Sequence, residues 1–478
     1  MILDKIFKYF EEISKIPRGS GNEKAISDYL VRFAKENNLE VIQDEVMNVI
    51  IKKPASPGYE NSPGVILQGH MDMVCVKNCD KVHDFTKDPI TLKYVNDMIY
   101  ADGTSLGADN GIAVALAMAV LTSDNISHPP LEALITVDEE SGMTGAHNLN
   151  PENISGKILI NLDSEEEGKL LVSCAGGSRA AIKLNVEWQN APKDLEAYAI
   201  NINGLLGGHS GVEIDKERGN SNKLLGRALH NLYETAPFNL AYIAGGSRAN
   251  VIPSEAEAVI FASPDQSQAI ADKIMELDKM FKNEYKVSDP GVRVSIKKSQ
   301  KDFDRMFNDS TTIKAISLLV AIPNGIQAMS KSIKGLVESS SNIGVVSIDE
   351  DFVSLEFSIR SSVSSLKEYI RNQICTIANL AHVDFEANGD YPAWEYNPNS
   401  QVREVFQRVY KEKYDKEPEI VAIHAGVECG LFGEKIPGLD MISIGANAYD
   451  AHTTNEHVSI SSVKRTYEYL LAVLEELR

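Results

Sequence analysis

Three short apolar runs in the first third of the chain break off into acidic or histidine-bearing tips. This constrains the fold more than any other feature. VILQ at 65–68 runs into the tip GHMDMV, LEALITV at 131–137 runs into Asp138-Glu139-Glu140, and KILINL at 157–162 stops on Asp163. Apolar runs this short, ended by polar residues, read as buried strands. Helical patterns alternate with them. Ile6, Phe7, Phe10 and Ile13, then Ile26, Tyr29, Leu30 and Phe33, recur at helical spacing on either side of the turn-like RGSGN. Residues 111–121 are alanine-rich and apolar all round, which predicts a buried helix. The alternation predicts an α/β layer, a largely parallel central sheet flanked by helices. Such sheets place their chemistry at the carboxyl ends of the strands.

At 478 residues the chain exceeds what one hydrophobic core fills, so two domains are expected. The texture changes near Cys174-Ala175-Gly176-Gly177. Beyond it, strand-like stretches (AAIKLNVEW, AYAINING, EAEAVIFA, VRVSIKK, VSLEFSIR) alternate with helical ones such as NKLLGRALHNLYE and QAIADKIMELDKMF. This predicts an α+β domain over 180–390, inserted into the α/β domain formed by 1–179 and 391–478. The chain closes on an amphipathic helix, SVKRTYEYLLAVLEELR.

The formal net charge of −21 argues against a nucleic-acid partner, because such a surface repels phosphate backbones. Five cysteines are too few and too scattered for a disulfide framework. The N-terminus, MILDKIFKYFEEISKI, carries charges throughout and lacks the apolar core of a signal peptide. No run of about 18 apolar residues occurs, so no membrane span is expected and a cytoplasmic location is the simplest one. A GxxxxGK[ST] loop is absent, and the glycines of GLGADNG and GGHSG lack dinucleotide-fingerprint spacing.

The strand tips hold the chemistry. They present His70 and Asp72, Asp109 in LGADNG, Glu139 and Glu140, Asp163, and the late His457 in AHTTNEH. Singly, each reads as a solvated strand end. Together they would gather so much like charge on one sheet edge that divalent cations are needed to relieve it. The nitrogen and oxygen donors suit zinc, cobalt or manganese.

In this order and over nearly the whole chain, the residues resemble the di-metal metallopeptidases that include glutamate carboxypeptidase, peptidase T, acetylornithine deacetylase and carnosinase. The flanking motifs GHMDMV, GADNG, SCAGG, GGHSG and HAGVECG look most like the dipeptidase branch of that family. The resemblance implies a hydrolase of Xaa-His and related, carnosine-like dipeptides. It further implies two divalent ions, most simply zinc, with His70 and Asp163 on one, Glu140 and His457 on the other, and Asp109 bridging. Asp72 would fix the His70 tautomer. Glu139 would be the general base for a metal-bridging hydroxide and return the proton to the leaving amine. The Asp109–Asn110 peptide would be cis.

The resemblance makes 180–390 a lid domain inserted into the catalytic domain, and implies that its His209 stabilises the developing oxyanion, an effect worth roughly 3 kcal/mol where measured. In several relatives this histidine serves a neighbouring subunit's site, which implies a homodimer. Asn250 would bind substrate, Arg360 would clamp its free carboxylate, and Glu428 would meet its ammonium group. His83, His424 and His452 fall outside the implied ligand set and read as structural. Two other readings stay open. A sibling N-acyl amino acid deacylase or tripeptidase would share the core chemistry, and a non-catalytic metal- or peptide-binding protein would share only the scaffold.

Overall fold

The computed structural model describes residues 2–478. The chain divides into two compact units, one of Met1–Ser173, Tyr396–Ala422 and Val427–Arg478, the other of Cys174–Glu395 and Ile423–Gly426.

The first unit is built on an eight-stranded mixed sheet in the order Glu40–Gln43, Val49–Lys53, Leu131–Thr136, Val65–His70, Ile158–Asn161, Asp440–Ser443, Lys169–Cys174, Glu419–Ile423. The four middle strands run parallel. Antiparallel pairs extend the sheet on either side of them. The expected parallel sheet therefore describes the centre, and the sheet as a whole is mixed. Val65, Ile66, Leu67, Leu134, Leu159 and Ile160 are all fully buried, as strands covered on both faces must be. In register, His70 lies opposite Thr136, while Asn161 lies opposite Gln68 and Ser443. The tips that follow these strands thus leave from one edge of the sheet.

Helices Ile2–Ile13, Lys24–Glu36, Ala108–Leu121, Gln401–Tyr414 and Ile460–Glu476 belong to the same unit. The apolar stretch predicted as a buried helix is one, and every residue of Ala108–Leu121 except Asp109 is buried. Its regular turns begin at Gly111, because Asp109 and Asn110 have non-helical backbone angles. This helix packs on strand Val65–His70 without slack. A Cβ on Gly69 would lie 2.4 Å from Asn110 Oδ1 and 2.8 Å from Ala113 Cβ. Among the described residues no helix is long and apolar enough to cross a membrane.

The second unit is a nine-stranded sheet whose described pairs are all antiparallel. Helices Ser221–Thr235, Ser267–Glu284, Asp309–Ala321 and Ser364–Ala381 contribute Leu225, Leu229, Leu277, Phe281, Leu318, Ile370 and Ile374 to its core, with Ile200, Ile260, Leu355 and Phe357 from the strands. Residues 180 and 390, the expected domain limits, lie inside strands Gly176–Asn185 and Asp384–Tyr391. The unit boundaries fall instead at 173/174 and 395/396.

Candidate metal centre

Strand Val65–His70 ends on the histidine that organises one side of the site. His70 is buried, with Nδ1 3.1 Å from Asp72 Oδ1. Asp72 is wholly buried and also accepts the Ser20 hydroxyl at 2.8 Å and the backbone N–H groups of Glu139 and Glu140 at 3.1 and 3.3 Å. An Nδ1–H held by a carboxylate leaves the opposite ring nitrogen to face the cluster. His70 Nε2 lies 3.1 Å from Asp109 Oδ1 and 3.4 Å from Asp163 Oδ1.

The second oxygen of Asp109 faces a different ring. Asp109 Oδ2 lies 3.2 Å from His452 Nε2, which is also 2.9 Å from Glu140 Oε1. The structure therefore gathers His70, Asp72, Asp109, Glu139, Glu140 and Asp163 at one edge of the sheet. The Asp109–Asn110 peptide is cis.

His457 is not in the cluster, and the expectation for it is corrected. Its ring is stacked between Tyr100 and Tyr449, at centroid distances of 4.7 and 4.9 Å, and its Nδ1 lies 2.8 Å from the Asn455 carbonyl. It sits in strand His457–Ser459, paired with Met98–Ala101. His452, five residues earlier, stands where the late histidine was expected. It lies in a tight loop in which both Asp450 and His452 have positive φ, 53° and 62°.

Glu428 is also placed differently from expectation. It is 1% exposed, too deep to meet a substrate ammonium, and its Oε2 accepts from Gln68 Nε2 at 2.6 Å and Thr136 Oγ1 at 2.8 Å. Gln68 in turn accepts from Asn161, whose Oδ1 accepts from the backbone N–H of Asp163 at 3.2 Å. This is a polar layer under the cluster.

The groups of the cluster perturb one another strongly. Burial, with the neighbouring Asp163, Glu428 and Glu140, pushes Glu139 up to about 9. Burial and the Asp109 and Glu140 carboxylates raise Asp163 to about 6, and burial raises Glu428 to about 8. Hydrogen bonds to Asp109 and Glu140 raise His452 to about 10. Burial opposes the charged form of His70, yet Asp163, Asp109 and Asp72 outweigh it and hold the ring well above its ordinary value. Asp109, flanked by both imidazoles, is driven down in spite of its burial. Raised carboxyls at Glu139 and Asp163, beside two imidazoles that hold their protons tightly, mark a site where divalent cations can take the protons' place. The oxygen and imidazole donors fit such ions. His70, Asp109 and Glu140 each offer a donor atom within 4.8 Å of the others'.

In the second unit, strand Gly208–His209 pairs with Val251–Ile252, and the Ser210 N–H donates to the Asn250 carbonyl at 3.0 Å. His209 and Asn250 are thereby neighbours. His209 Nδ1 accepts the N–H groups of Gly211 and Val212, both at 3.2 Å, which places the ring proton on Nε2. Arg360 is 8% exposed, and its Nη1 donates to the Tyr391 hydroxyl at 2.8 Å. Among the described residues no carboxylate lies within ion-pair distance of its guanidinium. Cross-strand from Arg360 is Ser340, whose hydroxyl lies 2.7 Å from His424 Nε2. Burial and the Arg360 charge hold His424 down at about 3.

The sequence profile of peptidase family M20/M25/M40 matches residues 66–476. This chain belongs to that family. The cytosol non-specific dipeptidase of Escherichia coli K12 is 39% identical to this M20 peptidase, covering 99% of its chain and 97% of the relative. The crystal structure of aminoacylhistidine dipeptidase from Vibrio alginolyticus superposes with a TM-score of 0.95 at 37% identity, covering 99% of this chain and 96% of that one. Aminopeptidase PepT from Bacillus cereus, at a TM-score of 0.58 and 18% identity over 99% and 98% of the two chains, shares the fold. The M20 protein is thus a hydrolase of peptide bonds, and its strand-end cluster could hold metal.

Proposed function

We propose that this M20 peptidase is a cytoplasmic dipeptidase requiring two divalent cations, zinc first among them, and that it cleaves Xaa-His and related, carnosine-like dipeptides. One observation carries the reading. Asp109 turns Oδ1 toward His70 and Oδ2 toward His452, as a carboxylate shared by two ions would. His70 and Asp163 would hold one ion and Glu140 and His452 the other, with Asp109 between them. The ions would polarise the scissile carbonyl and acidify the attacking water.

The protein's own groups do the rest. Asp72 keeps the His70 proton on Nδ1 and, through the Glu139 and Glu140 N–H groups, fixes the turn that carries base and ligand side by side. Glu139 takes a proton from the water and delivers it to the leaving amine. Cations beside it would offset the burial and the carboxylate repulsion that raise its pKa, which restores a base near neutral pH. His209, with its proton on Nε2, donates to the developing oxyanion. Arg360, lacking a carboxylate partner of its own, takes the substrate's free carboxylate, and Asn250 binds beside His209. The names of the Escherichia coli and Vibrio alginolyticus relatives support the location and the substrate class.

The test is metal content together with a substrate panel. Purified protein should hold two equivalents of zinc, cobalt or manganese and cleave Xaa-His dipeptides faster than tripeptides or N-acetyl amino acids. Protein that holds two ions yet leaves dipeptides intact overturns the reading.

A further inference from the structure

We propose that Glu456 is a positioning residue that holds the His452 side of the metal centre in place, acting through the turn that carries Asp109. The proposal rests on the two-ion reading above and concerns how one of the two ion sites is kept assembled.

Glu456 is 2% exposed, and its carboxylate is spent entirely on backbone N–H groups. Oε2 accepts from Leu106 at 2.7 Å and Gly107 at 2.9 Å, and Oε1 accepts from Ala108 at 2.8 Å and Asp109 at 3.2 Å. Four consecutive N–H groups converging on one carboxylate form an anion-binding nest. Here the anion is supplied by the protein, from about 350 residues further along the chain.

The same turn is gripped from its carbonyl side by a buried cation. Arg18 donates through Nη2 to the Gly107 carbonyl, and through Nη1 to the carbonyls of Met71 and Asp72, both at 3.0 Å. Gly107 has φ 68°, and a Cβ there would come within 2.5 Å of Arg18 Nη2. Arg18 thus braces the Asp109 turn against the segment that follows His70. Glu456 braces it against the loop that carries His452.

That loop is otherwise held mainly within itself. Thr453 Oγ1 donates to the Asp450 carbonyl at 2.7 Å and accepts from Asn455 N–H at 3.1 Å, and the Glu456 N–H donates to the Thr453 carbonyl at 3.3 Å. The loop reaches the cluster at two points, the His452 ring and the Glu456 carboxylate. On the His70 side the Asp109 turn is tied independently, through Arg18, to the Met71 and Asp72 carbonyls, while Asp72 holds His70 and Asn161 holds the Asp163 backbone. Removing the Glu456 carboxylate should therefore loosen His452 against Asp109 and Glu140 while the His70–Asp163 side stays formed.

The experiment is a titration of cation-free protein with cobalt, followed by its visible absorption and by metal analysis, in wild type, Glu456→Gln, Glu456→Asp and His452→Ala. Wild type should bind two ions. His452→Ala should lose one of them, which checks the two-ion reading separately. Glu456→Gln should bind the first ion as wild type does and require about 10–100-fold more free metal for the second, the range found for groups that orient metal ligands. Glu456→Asp keeps the charge but draws it back by one methylene, and it should show the same selective weakening. If the Gln variant does not fold, the Asp variant decides. Unchanged affinity for both ions, or parallel weakening of both, overturns the proposal. Wild type that binds a single ion overturns the two-ion reading instead.

Discussion

His452 meets Glu140 at 2.9 Å across 312 residues of sequence, and the same ring nitrogen lies 3.2 Å from Asp109. A half-exposed histidine thus closes one end of a cluster whose other end, at His70, is fully enclosed. Replacing His452 with Ala should lower kcat/KM by more than about 100-fold, beyond the range for groups that only orient ligands. His457→Ala should leave activity within a few-fold of wild type and retain both ions. Metal analysis and steady-state kinetics on the two variants separate these outcomes.

Glu139 is proposed as the base and is assigned to neither ion. Glu139→Gln should keep the full metal complement and lower kcat by about 10²–10⁴-fold, the usual contribution of a general acid–base group. A variant that loses metal along with activity would make Glu139 a ligand instead.

Chelation should convert the centre into a pH-sensitive liability. In the cation-free fold Glu139 is raised to about 9, Glu428 to about 8 and His452 to about 10. Each of these groups binds its proton more tightly folded than unfolded. Their stabilisation is complete below the unfolded pKa, near 4.5 for the two glutamates and 6.5 for the histidine, and is lost as pH climbs through the folded values. The melting temperature of chelated protein should fall between pH 6 and 9. Metal-loaded protein should change less over that range, and at about 100 times Kd of free metal it gains ~2.7 kcal/mol for each ion bound only by the folded state. Differential scanning fluorimetry across pH, with and without chelator, measures both effects.

Arg360 is buried, and its described side-chain partner is the Tyr391 hydroxyl, so the proposed clamp on the substrate carboxylate can be tested directly. Arg360→Lys should raise KM for dipeptides with a free carboxylate, because a point charge replaces a planar fork. C-terminally amidated dipeptides should be nearly indifferent to the change. Equal effects on both substrates would assign Arg360 a structural role.

Much of the cluster was legible because its signals are local. His70, Asp72, Glu139, Glu140 and Asp163 each follow an apolar strand, and the parallel register brings those ends to one edge. His452 was not legible. AHTTNEH offers two histidines, and the choice between them depends on Tyr100 and Tyr449 capturing the His457 ring. Arg18 looked like part of a turn, since its partners lie 53 to 89 residues away. In the second unit, strand Val337–Ile348 hides behind the run VESSSNIG, whose Ser339, Ser340 and Ser341 are buried by sheet pairing rather than by apolar character. The domain limits were blurred for a related reason. Composition shifts gradually, whereas the unit boundaries fall outside strands Gly176–Asn185 and Asp384–Tyr391.

The missing side chain at Gly69 has a wider consequence. Because no methyl group fits between that strand and Asn110 or Ala113, the strand and helix that carry His70 and Asp109 cannot be spread apart or slid without breaking a close-packed seam. The width of the gap between these donors is set by core packing before any ion arrives. Cations of different radius would have to adapt to the protein, and discrimination among them becomes a property of the hydrophobic interior.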